Sequence, residues 1–279
     1  MISNGSMLKI LGKRFAEADN YVLYYGHGQE KEAANFDIAI LESQGQSAES
    51  VRWLKENNTV CIAYMSVIEV ADYTREKMLL GQADLLKRND LILRNEKYAA
   101  SLADPRSKNW SRILLNKASE LYHAGYDGIF LDTMADIESP MFSRSEKNEI
   151  ILALIEIIQK INQRHPQGLL IQNNGVEEVC LYTAGLIDGI CWENPPLEKE
   201  ESAAWVSIIK RRLKRISDEN NLKLFILYEN DDYSGLDINK IKNEVCQEGF
   251  LFYHASQSYT GRINLFGQKN NPIKGLKGF

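Results

Sequence analysis

The chain has 279 residues and a formal net charge of −5, long enough for one large core and without the basic footprint that nucleic acid or an anionic membrane would need. Its balance suits a neutral or cationic partner. The longest apolar runs, such as Ile150 to Ile158 with Glu156 inside, stay well short of the roughly 20 residues that span a bilayer. The four cysteines, Cys61, Cys180, Cys191 and Cys246, form no C-x-x-C pair, which favours reduced thiols.

The N-terminal stretch "MISNGSMLKILGKRF" has no basic region followed by an apolar block. The expectation is a cytoplasmic protein, or a secreted one if a leader has been removed ahead of it. From there, short β-rich runs alternate with longer helical patterns. Strands are predicted at 21–25, 36–41, 59–66, 128–132, 169–173, 188–193, 222–229 and 249–254. Helices are predicted at 48–57, 74–89, 108–124, 145–164, 176–184, 197–219 and 238–247. Ser143 and Glu146 read as a capping box for the fourth helix, and Pro166 stops it after Arg164. Gly125 sits where a left-handed residue would end the third. The segment near 91–107 breaks the alternation and is expected to be an excursion at one rim.

Eight strands followed by helices predict an α/β fold, a (β/α)8 TIM barrel forming a single domain over 1–279. The first turn, "YYGHGQE", lacks the glycine fingerprint of a dinucleotide-binding domain, and no cofactor is expected.

Barrel chemistry sits at the C-terminal ends of the strands. There the sequence places Tyr25, Glu42, Ser66 with Glu69 beyond, Asp132, Asn173, Glu193, Glu229 and His254. Acids dominate and histidines are scarce. Only His27 and His254 are candidates for the rim, which makes a metal-assisted hydrolase a thin reading. No G-x-S-x-G elbow is present for a serine nucleophile. Paired carboxylates are what glycoside hydrolysis requires. Asp132 and Glu193 are the best pair, ending the parallel phrases "DGIFLD" and "DGICWE". Trp192 beside Glu193 would raise its pKa, which gives Glu193 the acid role and Asp132 that of nucleophile or charge stabiliser. The residues expected to contact substrate are Tyr25, Glu42, Glu69, Asn173, Trp192, Tyr228 and His254, although along a strand half of the aromatic side chains must point outward. Taken singly, Asp132 and Glu193 are as well explained as caps of the turns that follow them. Glu229, in "YENDDYSG", reads as part of a solvated acidic loop.

The set "YYG", "FDIAILES", "IAYMSVIE", "ADPRSKNW", "GYDGIFLDT", "QNNG", "DGICWEN" and "GFLFYHA" resembles glycoside hydrolase family 114, the endo-α-1,4-polygalactosaminidase-like proteins with a largely uncharacterised bacterial branch. The resemblance implies a barrel that hydrolyses α-linked galactosamine-containing polysaccharide without a metal, with the catalytic aspartate at Asp132 and the catalytic glutamate at Glu193. Polysaccharide-cleaving members usually follow the aspartate with Asn and soon another Asp, where this chain has Thr133 and Asp136. Ile68 stands where the uncharacterised branch often has Gly. The expected partner is therefore a carbohydrate, in particular a cationic amino-sugar chain, and the competing reading is a carbohydrate-binding barrel without catalysis.

Overall fold

The computed structural model describes residues 4–229 and 237–265. Eight parallel strands form one sheet in the order β1 (Tyr21–Tyr24), β2 (Ile38–Leu41), β3 (Val60–Ser66), β9 (Gly128–Asp132), β10 (Leu169–Asn173), β11 (Gly189–Glu193), β12 (Lys223–Glu229) and β13 (Leu251–Ala255). The last strand comes back to the first, with the Tyr253 ring 5.8 Å from that of Tyr21, so the sheet curls into a nearly closed (β/α)8 barrel. The strands are buried on both faces, as parallel strands covered by helices must be.

The outer layer holds α1 (Asn4–Ala16), α2 (Glu30–Ala33), α3 (Ala48–Glu56), α5 (Lys108–His123), α6 (Arg144–Arg164), α7 (Cys180–Thr183), α8 (Ala203–Asn220) and α9 (Ile238–Gln247), while α4 (Arg75–Met78) belongs to the rim. The end signals read from sequence are present. Ser143 Oγ accepts from Glu146 N at 3.3 Å and the Glu146 carboxylate accepts from Ser143 N at 2.8 Å, and Gly125 has φ +101° after α5. Helix α1 was not anticipated. It reaches the barrel floor, where Phe15 packs on Phe225 at 6.2 Å and Lys223 Nζ donates to the carbonyls of Ala16 and Ala18 at 3.0 and 2.8 Å.

The repeated Asp-Gly phrase has a structural cause. A Cβ on Gly128 would lie 2.5 Å from Leu169 O, and one on Gly189 would lie 2.8 Å from the Phe225 ring, so both strands start where neighbours come too close for a side chain. The preceding aspartates staple the floor: Asp127 accepts from Cys61 N at 3.0 Å and pairs with Lys55 at 2.8 Å, and Asp188 accepts from Leu170 N at 2.8 Å. Each phrase thus pins a strand at the bottom and delivers an acid at the top.

Between β3 and α5 the chain leaves the barrel. Here β4 (Glu69–Ala71), β7 (Arg94–Asn95) and β8 (Ala100–Leu102) form a small antiparallel sheet, and β5 (Lys87–Arg88) pairs with β6 (Leu91–Ile92). The excursion begins earlier than 91, and the helix expected at 74–89 is reduced to the single turn α4. Gly81 interrupts the pattern, and Asp84 turns back to accept its N–H at 2.8 Å. The backbone of Leu86 then pairs with Leu102 and Leu93 instead of continuing a helix, so tertiary pairing overrides local propensity. The helices expected at 176–184 and 197–219 also start late, at Cys180 and Ala203. All four cysteines are free. Among the described residues no helix is long and apolar enough to cross a membrane.

Candidate active site

Side chains alternate across a strand wall, so the last residue of each strand and those two and four before it share a face. Register sets Asp132 beside Ser66, and Gln172 beside Leu131 and Ile190. On that basis Tyr25, Tyr64, Ser66, Asp132, Asn173, Glu193 and Glu229 take the inner face at the C-terminal end. Tyr64 and Tyr259 flank the Tyr25 ring at 5.0 and 5.3 Å.

At the centre, Asn173 Nδ2 donates to Asp132 Oδ1 at 2.8 Å and to Glu193 Oε2 at 2.5 Å. One amide nitrogen therefore bridges both acids, and the two accepting oxygens can be no farther apart than the sum of those contacts. Asn173 is almost fully buried and its Oδ1 has no partner among the described residues, so the two carboxyls fix the amide's orientation. The Tyr259 hydroxyl donates to the other oxygen of Glu193. Burial first, and then the Asp132 carboxylate, push the Glu193 carboxyl above the usual range, against the opposing donations from Tyr259 and Asn173. Burial also raises the phenols of Tyr25 and Tyr64, with Asp132 the next influence on both.

The residues after Asp132, Asn173 and Glu193 are all left-handed without being glycine: Thr133 (φ +67°), Asn174 (φ +53°) and Asn194 (φ +47°). Each reaches sideways to a neighbouring segment. Thr133 Oγ1 accepts from Val67, Ile68 and Glu69 N at 3.3, 2.8 and 3.1 Å. Asn174 Oδ1 accepts from Glu193 N at 2.9 Å, and Asn194 Oδ1 accepts from Glu229 N at 2.7 Å. Asparagine tolerates this backbone, whereas a β-branched threonine there is a genuine outlier. Replacing Thr133 by Val would keep the shape and leave the Ile68 and Glu69 amides without their acceptor, while Val67 N keeps its bond to Asp132 O at 3.0 Å. The expected loss is about 2–3 kcal/mol of stability, with Ser restoring most of it; equal denaturant midpoints for the Val variant and wild type would show that the hydroxyl is dispensable.

A second acidic pair lies beside the first. Glu69 accepts from Asn95 Nδ2 at 2.6 Å and shares a hydrogen bond with Asp136, which sits in the single turn Met134–Glu138 after β9. Burial, then the charges of Glu69 and Asp132, raise Asp136 to about 8.

The other candidates divide. Glu42 caps the turn Ser43–Gly45 by accepting from Gln44 N at 3.2 Å. Glu229 accepts from Ser258 N at 3.1 Å and so anchors the loop after β13; the rest of its acidic stretch, 230–235, lies outside the described residues. Trp192 lies on the outer face, its ring 5.6 Å from Trp205 of α8. Tyr228 stands opposite His254 in register on that same outer face, with the rings 6.2 Å apart, and Tyr228 bonds toward Glu198. The physical reason is period two: a residue adjacent to an inward acid points away from the mouth. His27 is exposed, its Nδ1 3.0 Å from Gly45 O, whereas His254 is buried. Sequence reasoning missed Tyr259, Asn95 and the pairing role of Asp136. No periodic signal marks Tyr259, which comes from a loop, or Asn95, which ends the two-residue strand β7 of the rim sheet, and Asp136 stands in the sequence only as the next acid after Asp132.

Solved structures with a similar fold include the glycoside hydrolase domain of PelA from Pseudomonas aeruginosa, with TM-score 0.72 and 18% identity over 87% of this chain and 96% of that one. Another is Ega3 from Aspergillus fumigatus, solved in complex with galactosamine, with TM-score 0.69 and 9% identity over 88% of this chain and 94% of that one. An uncharacterised protein of Thermotoga maritima is 23% identical over 240 residues, 76% of this chain and 71% of its own length. The sequence itself matches the model of one family across residues 13–194, a span that holds Asp132, Asn173 and Glu193. The chain belongs to glycoside-hydrolase family GH114.

Proposed function

We propose that the protein is a retaining glycosidase that cleaves α-linked galactosamine or N-acetylgalactosamine chains through Asp132 and Glu193. The observation that carries this reading is the single Asn173 nitrogen shared by both carboxyls at 2.8 and 2.5 Å. Retaining enzymes hold their two carboxyls about 5–5.5 Å apart, and inverting enzymes leave roughly 6.5–9.5 Å for a water. A donor shared at these distances keeps the two nearest carboxyl oxygens close together, which favours the shorter spacing. The amino-sugar class rests on the family and on the galactosamine in the Ega3 complex.

In this reading the Glu193 carboxyl, kept protonated by burial and by Asp132, gives its proton to the glycosidic oxygen while an Asp132 oxygen attacks the anomeric carbon. The bond to the leaving sugar breaks and a covalent glycosyl–Asp132 ester forms. Glu193, now ionised, takes a proton from a water that attacks the same carbon, releasing Asp132 and restoring the acid. Each Glu193 oxygen accepts one donor in the free protein, which leaves a second site on each from which the acid proton can face the glycosidic oxygen. Proton transfer is handled entirely by these side chains, and chelator is expected to leave the rate unchanged.

The test is a panel of α-linked galactosamine and N-acetylgalactosamine oligomers, with and without EDTA, with the product anomer followed by proton NMR. Cleavage with the α-anomer appearing first is expected. Initial release of the β-anomer would overturn the retaining assignment, and saturable binding with no cleavage would favour a non-catalytic barrel.

A further inference from the structure

We propose that Tyr259 is a positioning residue that holds the Glu193 carboxyl in place and sets its proton affinity. Its hydroxyl donates to Glu193 Oε1 while Asn173 donates to Oε2 at 2.5 Å, so the carboxyl is gripped from both sides. The backbone behind Glu193 is fixed as well, through the Asn174 side chain at 2.9 Å.

The loop that delivers Tyr259 is built at a cost. Gln257, Ser258 and Tyr259 are consecutive left-handed residues, with φ of +50°, +50° and +66°, and none is glycine. Hydrogen bonds within the loop and to its neighbours hold that arrangement. Tyr259 N and Gly261 N bond Ser256 O at 3.1 and 3.4 Å, Ser258 N bonds the Glu229 carboxylate at 3.1 Å, and Tyr25 N bonds Tyr259 O at 2.8 Å. The Tyr259 ring packs edge-on against Tyr25 at 5.3 Å. Strain at a position whose side chain ends on an acid of the site points to function.

The chemical consequence follows from the donor. A phenol hydrogen bond to a carboxylate is charge-assisted and favours the ionised form. The charged or titratable groups facing Glu193 are Asp132 from β9, Glu229 from β12, Lys97 from the excursion, Tyr21 from β1 and Tyr25 just after it, and Cys191 on its own strand. Without the Tyr259 hydroxyl, burial and Asp132 are opposed chiefly by Asn173, and Glu193 keeps its proton to higher pH.

The experiment is a carbon-13 NMR titration of side-chain carboxyls in wild type and Tyr259→Phe, with Glu193→Gln assigning the resonance. Phe keeps the ring and its packing on Tyr25. A rise in the Glu193 midpoint of about one pH unit is expected; an unchanged or lowered midpoint overturns the proposal. As an independent reading, the Tyr259 phenol, held far above its ordinary range by burial first and then by the Glu193 carboxylate, should move to lower pH in Glu193→Gln, and a ring-carbon titration no lower than that of wild type would count against the coupling. The kinetic consequence, an equal alkaline displacement of the upper limb of kcat/KM, rests on the reading of Glu193 as the acid. A shifted midpoint with an unmoved limb would therefore sink the acid role while leaving Tyr259 in place.

Discussion

Replacing Asp132 by Asn, or Glu193 by Gln, is expected to lower turnover of a sugar-linked substrate by about 10²–10⁴ while the fold stays intact. The two variants should differ in a way that assigns the roles. Asn at 132 can still accept the Asn173 donation made at 2.8 Å, so the bridge survives, but it cannot form the glycosyl ester. Its loss should be the same whatever the leaving group. Gln at 193 has one acceptor where the carboxylate has two, and both oxygens are in use, one by Asn173 and one by Tyr259. One of those donors is left facing an NH2. The missing proton matters most for a sugar leaving group and least for an activated aryl leaving group that departs unassisted, so the first step should be largely restored on an aryl glycoside. Steady-state and burst kinetics on both substrate types decide the matter. Wild-type-like turnover in either variant would remove that residue from the mechanism.

The second large effect concerns stability. Asp136 is half-buried behind the mouth, one of its oxygens has no direct partner among the described residues, and burial with the charges of Glu69 and Asp132 raises it to about 8. In the unfolded chain an aspartate titrates near 3.9. Between these two values the folded state holds a proton that the unfolded state has lost, so this residue's contribution to stability is complete below about pH 4 and declines as pH rises toward 8. Asp136→Asn stays neutral, and its NH2 can donate to Glu69 as the carboxyl proton does. The substitution should be close to neutral at pH 4 and stabilising by on the order of 2–4 kcal/mol at pH 9, part of the effect being carried by the coupled Glu69. Urea denaturation at the two pH values measures it. A gain of equal size at both, or a loss at pH 9, would show that Asp136 does not hold a proton through neutrality.

The barrel and its central acids were legible because their signals are local and repeated. Strands such as Gly128–Asp132 and Gly189–Glu193 are short apolar runs that begin with glycine and end in an acid, and the structure reproduces both to within a residue. Trp192 lies one position before an inward acid, so the two-residue alternation of a strand turns it to the outer face. The same alternation puts Tyr228 and His254 on the outer face. Tyr259 could not be read at all. It reaches Glu193 from a non-repetitive loop 66 residues further along the chain, and only a closed barrel brings that loop over the eleventh strand. The rim sheet was only half visible, since "TREKMLLGQADLLKRN" has helical composition while its partner strands lie up to Leu102.

The left-handed residues at 133, 174 and 194 have an evolutionary corollary. Each makes its sideways bond within one residue of a strand end, so the acids are anchored before the connecting loops begin. Insertions or exchanges farther out, in the rim sheet or after Met134, would then meet an already fixed pair of carboxyls. Such insulation would let a lineage exchange the surrounding walls while leaving the central acids untouched, and relatives with unlike preferences would be expected to diverge most in the segments just beyond these three positions.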